Sequence, residues 1–540
     1  MTMVRLFFII AIFIMLNGCS SGRFLQLNDQ QPQISNALGY AVLPNLAPLS
    51  LGALHSHCLS VSDDTDIGLV LSLQCAQTLL ARPQLPSNLK TYALNLYNSS
   101  LYKLLKSDPT QLNLVSVAIN GEKQFTFVSN LLPLEPRLAA KTLGELGVAL
   151  VVKKQQPDNP KAKFYPEEGI YRAYNAKLKT IETQGLTYLV TIDIEQQNNT
   201  KEISLGNNRY ALSYSPAASF LMLLEDATID QFSWLGFVSA SEAEKRRGIF
   251  SLAQLTADKE PLVMIHGLNS DPLIWRYLTM AILNDAVLSQ RYQIWHVYYP
   301  SGPPPFFNAM RVRHLLSELS QVASGEQGFE RATIIGHSMG GVISKTLTTN
   351  SNYALWDATF TDRPELLLNE KQRDIKDIFV FEPVFNYNRV FFLDTPHRGS
   401  SIASSALGYI GASLVTLPLE FTGLFKALID KVGIAKLTKG MLPFLKDYGP
   451  NSVQVLRPGH PLMDALGTLP VQGEAYNIIG STNRLICDSS DDCSNISDSV
   501  VDYPSAYYDK AKETIIVKSN HNSFQNPSAI EYILTKLKSQ

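Results

Sequence analysis

The chain has 540 residues, of which 45% are hydrophobic and 17% charged. That balance excludes a disordered or fibrous chain, and the length exceeds one ordinary domain, so two folded units are expected. Lys and Arg total 46 against 48 Asp and Glu, a formal net charge of -2, and so even a balance argues against a nucleic-acid partner.

In chain order, the first feature is Arg5 followed by an unbroken apolar run from Leu6 to Leu16. The run is shorter than the ~20 residues that span a bilayer and has the length of a signal-peptide core. It ends in Leu16-Asn17-Gly18-Cys19, which resembles a bacterial lipobox. The resemblance implies that residues 1–19 are a lipoprotein signal peptide and that acylated Cys19 anchors the chain to a membrane. Ser20, not aspartate, follows Cys19; by analogy with Gram-negative lipoproteins this implies the outer membrane of the cell envelope. Residues 20–47 are polar and Pro-punctuated and read as a tether. The other four cysteines fall as two local pairs, Cys58 with Cys75 and Cys487 with Cys493. Even numbers and short loops suit disulfides in an oxidising compartment. Three pairings exist for four cysteines, and proximity alone selects the local one.

Residues 48–250 read as a smaller α+β accessory domain. Helices are predicted over 67–81 and 89–106, separated by Arg82-Pro83-Gln84-Leu85-Pro86. Runs such as Leu114 to Ile119 and Thr187 to Ile192 alternate or are β-branched, as strands require. This half carries no catalytic constellation. The charged stretch Glu242 to Gly248 reads as a linker or entry loop with a solvated surface.

From 251 to 540 the rhythm becomes strand–helix–strand. Strands are predicted at 262–265, 292–298, 332–335, 389–393, 475–479 and 514–517. Helices are predicted at 272–283, 309–322, after Ser338 as far as 349, and at 527–538. Such alternation implies an α/β fold with a mostly parallel sheet covered on both faces.

Gly336-His337-Ser338-Met339-Gly340-Gly341 follows a β-branched run and opens a helix, the context a nucleophile elbow demands. Ser338 is the candidate nucleophile. Its helix points N-terminal N–H groups at a developing oxyanion, and His266-Gly267-Leu268 ends the first strand of this half. The N–H groups of Leu268 and Met339 are therefore the expected oxyanion hole. His266 precedes the nucleophile and is expected to hold its loop by hydrogen bonds. The base must come after the nucleophile, and His521 follows the last strand; imidazole can take and return a proton near neutral pH. His460 is read as a structural loop residue. Asp498 is the preferred acid, with Asp394, at the end of its strand, and Asp502 as competitors.

Residues from about 260 onward resemble the bacterial lipase and esterase branch of the α/β-hydrolases, including relatives of the glycolipid-anchor deacylases. Ile265 to Leu268, the elbow, Asp394-Thr395-Pro396-His397-Arg398-Gly399-Ser400 and the segments around Asp498 and His521 carry the resemblance. It implies an acid in a Ser-Asp-Gly-Val-Val-like segment, where this chain has Ser499 in place of the glycine, and a structural His397. Residues 400–470, with helical stretches over 414–425 and 426–437, are expected to form a lid-like insertion or to pack as ordinary core. With a lipid anchor, a lipid acyl ester or other acyl ester is the expected substrate. Acyl transfer, thioester hydrolysis or a non-catalytic envelope interaction role are the alternatives. No cofactor is expected and no metal set is convincing. His55-Ser56-His57-Cys58 reads as a loop, and Asp488, Asp491 and Asp492 as a solvated acidic loop.

Overall fold

The computed structural model describes residues 23–35, 42–108, 110, 112–325, 329, 331–368, 373–404, 415–444, 450–487 and 493–539. The expected signal peptide with Cys19, and Asp488, Asp491 and Asp492, lie outside the described residues. The chain divides into two compact units. The first comprises the chain up to Val152 together with Ala173–Asp226; the second comprises Lys153–Arg172 and Ala227 onward.

In the first unit, helices α1 (Leu51–Ser60), α2 (Asp66–Leu80) and α3 (Ser87–Lys106) precede a five-stranded sheet. Thr65 starts α2, its hydroxyl accepting from the Gly68 N–H, which satisfies one of the donors a helix start leaves open. Leu69, Leu73, Ala76 and Leu80 recur three or four apart along α2 and are fully buried, the stripe a core-facing helix needs. The strands are β1 (Val115–Gly121), β2 (Thr126–Phe127), β3 (Val148–Lys154), β4 (Ile170–Gln184) and β5 (Thr187–Gln196), in the order β1-β5-β4-β3-β2. Along β5 the alternate residues Tyr188, Val190, Ile192 and Ile194 are buried. They join the α2 stripe in one apolar core. A disulfide between Cys58 and Cys75, Cα atoms 5.6 Å apart, ties α1 to α2.

The second unit holds a seven-stranded sheet. Its strands are β6 (Gly248–Ser251), β7 (Glu260–Ile265), β8 (Tyr292–Tyr298), β9 (Ala332–His337), β10 (Tyr387–Leu393), β11 (Glu474–Ser481) and β12 (Glu513–Lys518), in the order β6-β8-β7-β9-β10-β11-β12. Only the edge pair β6–β8 is antiparallel. Parallel strands need long crossovers, and helices α4 (Arg276–Leu283), α5 (Pro305–Ser324) and α6 (Met339–Leu347) lie on them, with α8 (Pro527–Lys538) closing the chain and α7 (Leu419–Val432) inside the long β10–β11 connection. Leu262 to Ile265 on β7, and Ile334 and Ile335 on β9, are fully buried, as strands covered on both faces must be. One antiparallel edge strand, a crossed second pair and then sequential parallel strands make the α/β-hydrolase fold. All six parallel strands point the same way, so the loops after β7, β9, β10, β11 and β12 gather at one end of the sheet.

Three elements differ from the sequence reading. The stretch Glu242 to Gly248, read as a solvated linker, folds into short helical turns and leads directly into β6. Its charges are paired: Glu244 with Arg247 and Arg311, and Arg246 with Glu167 and Glu168. Helix α5 starts at Pro305, earlier than apolar periodicity alone places it, because proline is well suited to a first helical position. The two helices expected over 414–437 are one, α7, preceded by Pro418 and ended by Gly433 at φ 74°; Leu414 lies outside the described residues. Glycine alone takes that φ without strain.

Candidate active site

Strand β9 ends at His337 and α6 begins at Met339, so Ser338 makes the whole turn, at φ 54° and ψ -125°. A non-glycine residue held there costs roughly 1–3 kcal/mol, which the surroundings must offset. The Ser338 N–H donates to the Leu393 carbonyl at 2.9 Å, and the Ser338 carbonyl accepts from the Gly341 N–H at 2.9 Å. The glycines are demanded by crowding. A Cβ on Gly340 would strike the carbonyl oxygens of Ile265 and His266, and one on Gly341 the Thr395 side chain.

The loop after β7 lies against this turn. A Cβ on Gly267 would stand 2.9 Å from Ser338 Cβ and 3.0 Å from His337 Nδ1, so only glycine brings the backbone this close. His266 is fully buried and fixes the loop. Burial pushes its imidazole down to about 4, against the hydrogen bond to Gly267. The neutral ring lies with Nδ1 2.9 Å from the Gly267 carbonyl. Tyr299, which the sequence reading did not single out, stacks on the His266 ring at 4.4 Å and donates its hydroxyl to the His266 carbonyl at 2.6 Å. The Asn269 N–H donates to Ser301 Oγ at 3.0 Å. Leu268 is half-buried and Met339 buried.

His521 lies in the loop after β12 and Asp498 in the loop after β11. His521 Nδ1 is 2.7 Å from Asp498 Oδ2. The other carboxylate oxygen accepts from the N–H groups of Val500 and Val501, each at 2.7 Å. Burial opposes a charge on His521, but the hydrogen bond and charge of Asp498, with the charge of Asp394, outweigh it and raise the imidazole above its ordinary value. Ser499 has φ 80°, so a serine occupies the turn where the resembled segment has glycine.

The two competing aspartates meet other groups. Asp394 accepts from the Gly480 N–H at 2.7 Å and from the Ser523 N–H at 3.1 Å. Asp502 accepts from the Ser401 hydroxyl at 3.2 Å. His460 caps the helix Pro461–Thr468, accepting from the Leu462 N–H at 3.3 Å. His397 is buried and stacks on Tyr508 at 5.1 Å. Cys487 and Cys493 form a disulfide, their Cα atoms 4.9 Å apart, in the loop that precedes Asp498. Among the described residues, His337, Asp394 and His521 each offer one donor atom within 4.8 Å of the others, the one grouping with the composition of a metal set. Both Asp394 oxygens already accept backbone N–H groups.

Helix α7 lines an apolar cavity. Phe421, Leu424, Phe425 and Leu428 line it together with Phe306 and Phe307 of α5, and the Phe307 and Phe421 rings meet edge to face at 5.0 Å. Among the described residues, no helix is long and apolar enough to cross a membrane.

No family model matches the chain, and no curated protein matches it. Solved structures do. A Bacillus licheniformis lipase in mature form is 15% identical, covering 54% of this chain and 97% of that one, at TM-score 0.30. A Staphylococcus hyicus lipase is 11% identical, covering 53% and 97%, at TM-score 0.31. Esterase B from Lactobacillus rhamnosis is 13% identical, covering 57% and 92%, at TM-score 0.30.

Proposed function

We propose that the chain is a serine carboxylester hydrolase that cleaves acyl esters of lipids and is held at the bacterial outer membrane by a lipid on Cys19. The observation that carries the chemistry is the His521–Asp498 pair at 2.7 Å, set in the same group of strand-end loops as the turn at Ser338. Ser338 Oγ attacks the ester carbonyl while His521 Nε2 takes its proton. The Leu268 and Met339 N–H groups receive the oxyanion; removing one such donor from a hydrolase typically costs ~10²–10³ in rate. Collapse expels the alcohol, protonated by His521, and leaves an acyl group on Ser338. Water, deprotonated by His521, then attacks the acyl-enzyme and restores the serine. Asp498 holds the imidazole with its proton on Nδ1 and stabilises the imidazolium.

A lipid acyl substrate is favoured by the cavity under α7, whose named walls are aromatic and aliphatic. Apolar burial is worth ~0.8 kcal/mol per methylene, so a chain seated there would bind in proportion to its length. Helix α7 would act as the lid.

The test is labelling of the detergent-solubilised chain by a fluorophosphonate probe, beside Ser338→Ala and His521→Ala. Labelling that requires both residues establishes an activated serine. Absence of labelling in folded wild-type protein, with detergent present to open a lid, refutes the hydrolase.

A further inference from the structure

Asp394 is a second carboxylate beside the base that the reaction, as described, does not use. It follows β10 directly, at φ 49°, and is fully buried. A carboxylate withdrawn from water without a bound cation is costly unless hydrogen bonds replace its hydration. Here backbone donors supply them. Oδ1 takes the Gly480 N–H at 2.7 Å and Oδ2 the Ser523 N–H at 3.1 Å. Gly480 belongs to β11 and Ser523 lies two residues past His521, so one side chain joins a rigid strand to the loop that bears the base.

His337 is arranged around the same point. Its Nε2 is 3.1 Å from the His521 carbonyl oxygen and 3.8 Å from Asp394 Oδ2, and its ring packs on those of His521 and Phe524 at 4.9 and 4.8 Å. Burial, followed by the charge of His521, pushes the His337 imidazole well down. It is therefore neutral and donates through Nε2 to that carbonyl. Gly480 separates the two carboxylates; a Cβ there would lie 3.0 Å from Asp394 Oδ1 and 3.2 Å from Asp498 Cβ.

We propose that Asp394 is a positioning residue for His521: with His337 it clamps the backbone that directly follows the imidazole, at the His521 carbonyl and the Ser523 N–H, while Asp498 holds the ring itself. This rests on the hydrolase reading above. The clamp sets where Nε2 stands when the Ser338 proton leaves, and a misplacement of about 1 Å at such a site can cost ~100-fold in rate. It also adds a second negative charge beside the imidazolium. The titratable groups that face His521 are thus Asp498 from the loop after β11, Asp394 from the end of β10 and His337 from the end of β9. Burial raises Asp394 to about 6, with His521 lowering it and Asp498 raising it; above that pH it is charged.

The experiment compares the full chain with Asp394→Asn and His337→Phe, using a short soluble nitrophenyl ester and histidine NMR. Asparagine has one acceptor oxygen and cannot take both N–H groups. Asp394→Asn is expected to lower kcat roughly 10–100-fold with KM within about 2-fold. The acid limb of kcat/KM should also move to lower pH, because the His521 imidazolium loses a neighbouring anion. His337→Phe keeps a ring and deletes a neutral donor, so kcat should fall while the acid limb stays. Wild-type kcat and an unmoved limb in folded Asp394→Asn overturn the proposal. So does a loss of kcat that only mirrors the fraction unfolded. If Asp394→Asn does not fold, wild-type kcat in His337→Phe overturns the clamp. The NMR titration of His521 needs no turnover. If wild type proves unreactive to fluorophosphonate, the hydrolase reading fails by itself, and a lowered His521 pKa in Asp394→Asn still supports Asp394's hold on the base, an unchanged one refuting it.

Discussion

Asp498 presents one oxygen to His521 Nδ1 at 2.7 Å and gives the other to two backbone N–H groups, of Val500 and Val501, at 2.7 Å each. The carboxylate cannot rotate without losing both backbone bonds, so the imidazole partner is set by the turn that carries the acid. Asp498→Asn keeps that turn, and the two N–H groups select the amide oxygen. The amide NH₂ must then face His521 Nδ1, which forces the imidazole proton onto Nε2. In that tautomer Nε2 cannot accept the serine proton. If the proposed triad operates, kcat should fall by ~10⁴ with KM and folding little changed, as the same tautomer change does in a serine-protease triad; steady-state kinetics and circular dichroism check it.

The pH dependence follows from His521. In the proposed mechanism the active form is the neutral imidazole, and its pKa is raised above the ordinary 6.5 because the hydrogen bond and charge of Asp498 outweigh burial. Lowering the pH through that value protonates the base and removes activity. The acid limb of kcat/KM should therefore show an apparent pKa above 6.5, the ordinary imidazole value. A limb below 6.5 contradicts the pairing.

Ser499, at φ 80°, occupies a conformation that disfavours residues with a Cβ. Ser499→Gly should relieve it and stabilise the chain by about 1 kcal/mol. Differential scanning calorimetry should show a rise in Tm of roughly 1–3 °C for the transition of the second unit. Activity should persist, since the Asp498 carboxylate bonds to the N–H groups of Val500 and Val501, which the substitution leaves in place.

The Cys58–Cys75 bridge closes a sequence separation of 17 and both cysteines are buried. A loop of about that size is worth ~3 kcal/mol of restricted unfolded-chain entropy. Cys58→Ser with Cys75→Ser should lower the melting of the first unit and leave fluorophosphonate labelling at Ser338 intact. Loss of labelling would show that the first unit supports the site.

Leu428 lies on the cavity side of α7 and is 7% exposed. Leu428→Trp puts bulk where an acyl chain is proposed to lie. Relative kcat/KM should shift toward short acyl chains across a series of esters differing only in chain length, with reaction on the shortest preserved. An unchanged profile places the acyl chain elsewhere.

Much of the fold was legible because the signals were local. Strand β8 and helix α8 lie where the residues place them, Tyr292–Tyr298 and Pro527–Lys538: the first is an apolar aromatic and β-branched run, the second begins with an Asn cap and a proline. The elbow was legible because its residue pattern is local, although the atoms that crowd Gly340 and Gly341, on Ile265, His266 and Thr395, are distant in sequence. The charged stretch before β6 was misread because its partners, Arg311 and Glu167 among them, are distant in sequence. The division of the chain at Val152 and Ala173 also carries no local mark, because strands β3 and β4 run through both points. Three aspartates stood at strand ends or in the following loops as candidate acids. Which of them meets His521 depends on where each side chain points after several crossovers, and only the folded sheet brings those loops together. Sequence alone determined the chemical groups and their order; tertiary structure decided their partners, because hydrogen bonds are made across space between strand ends far apart along the chain.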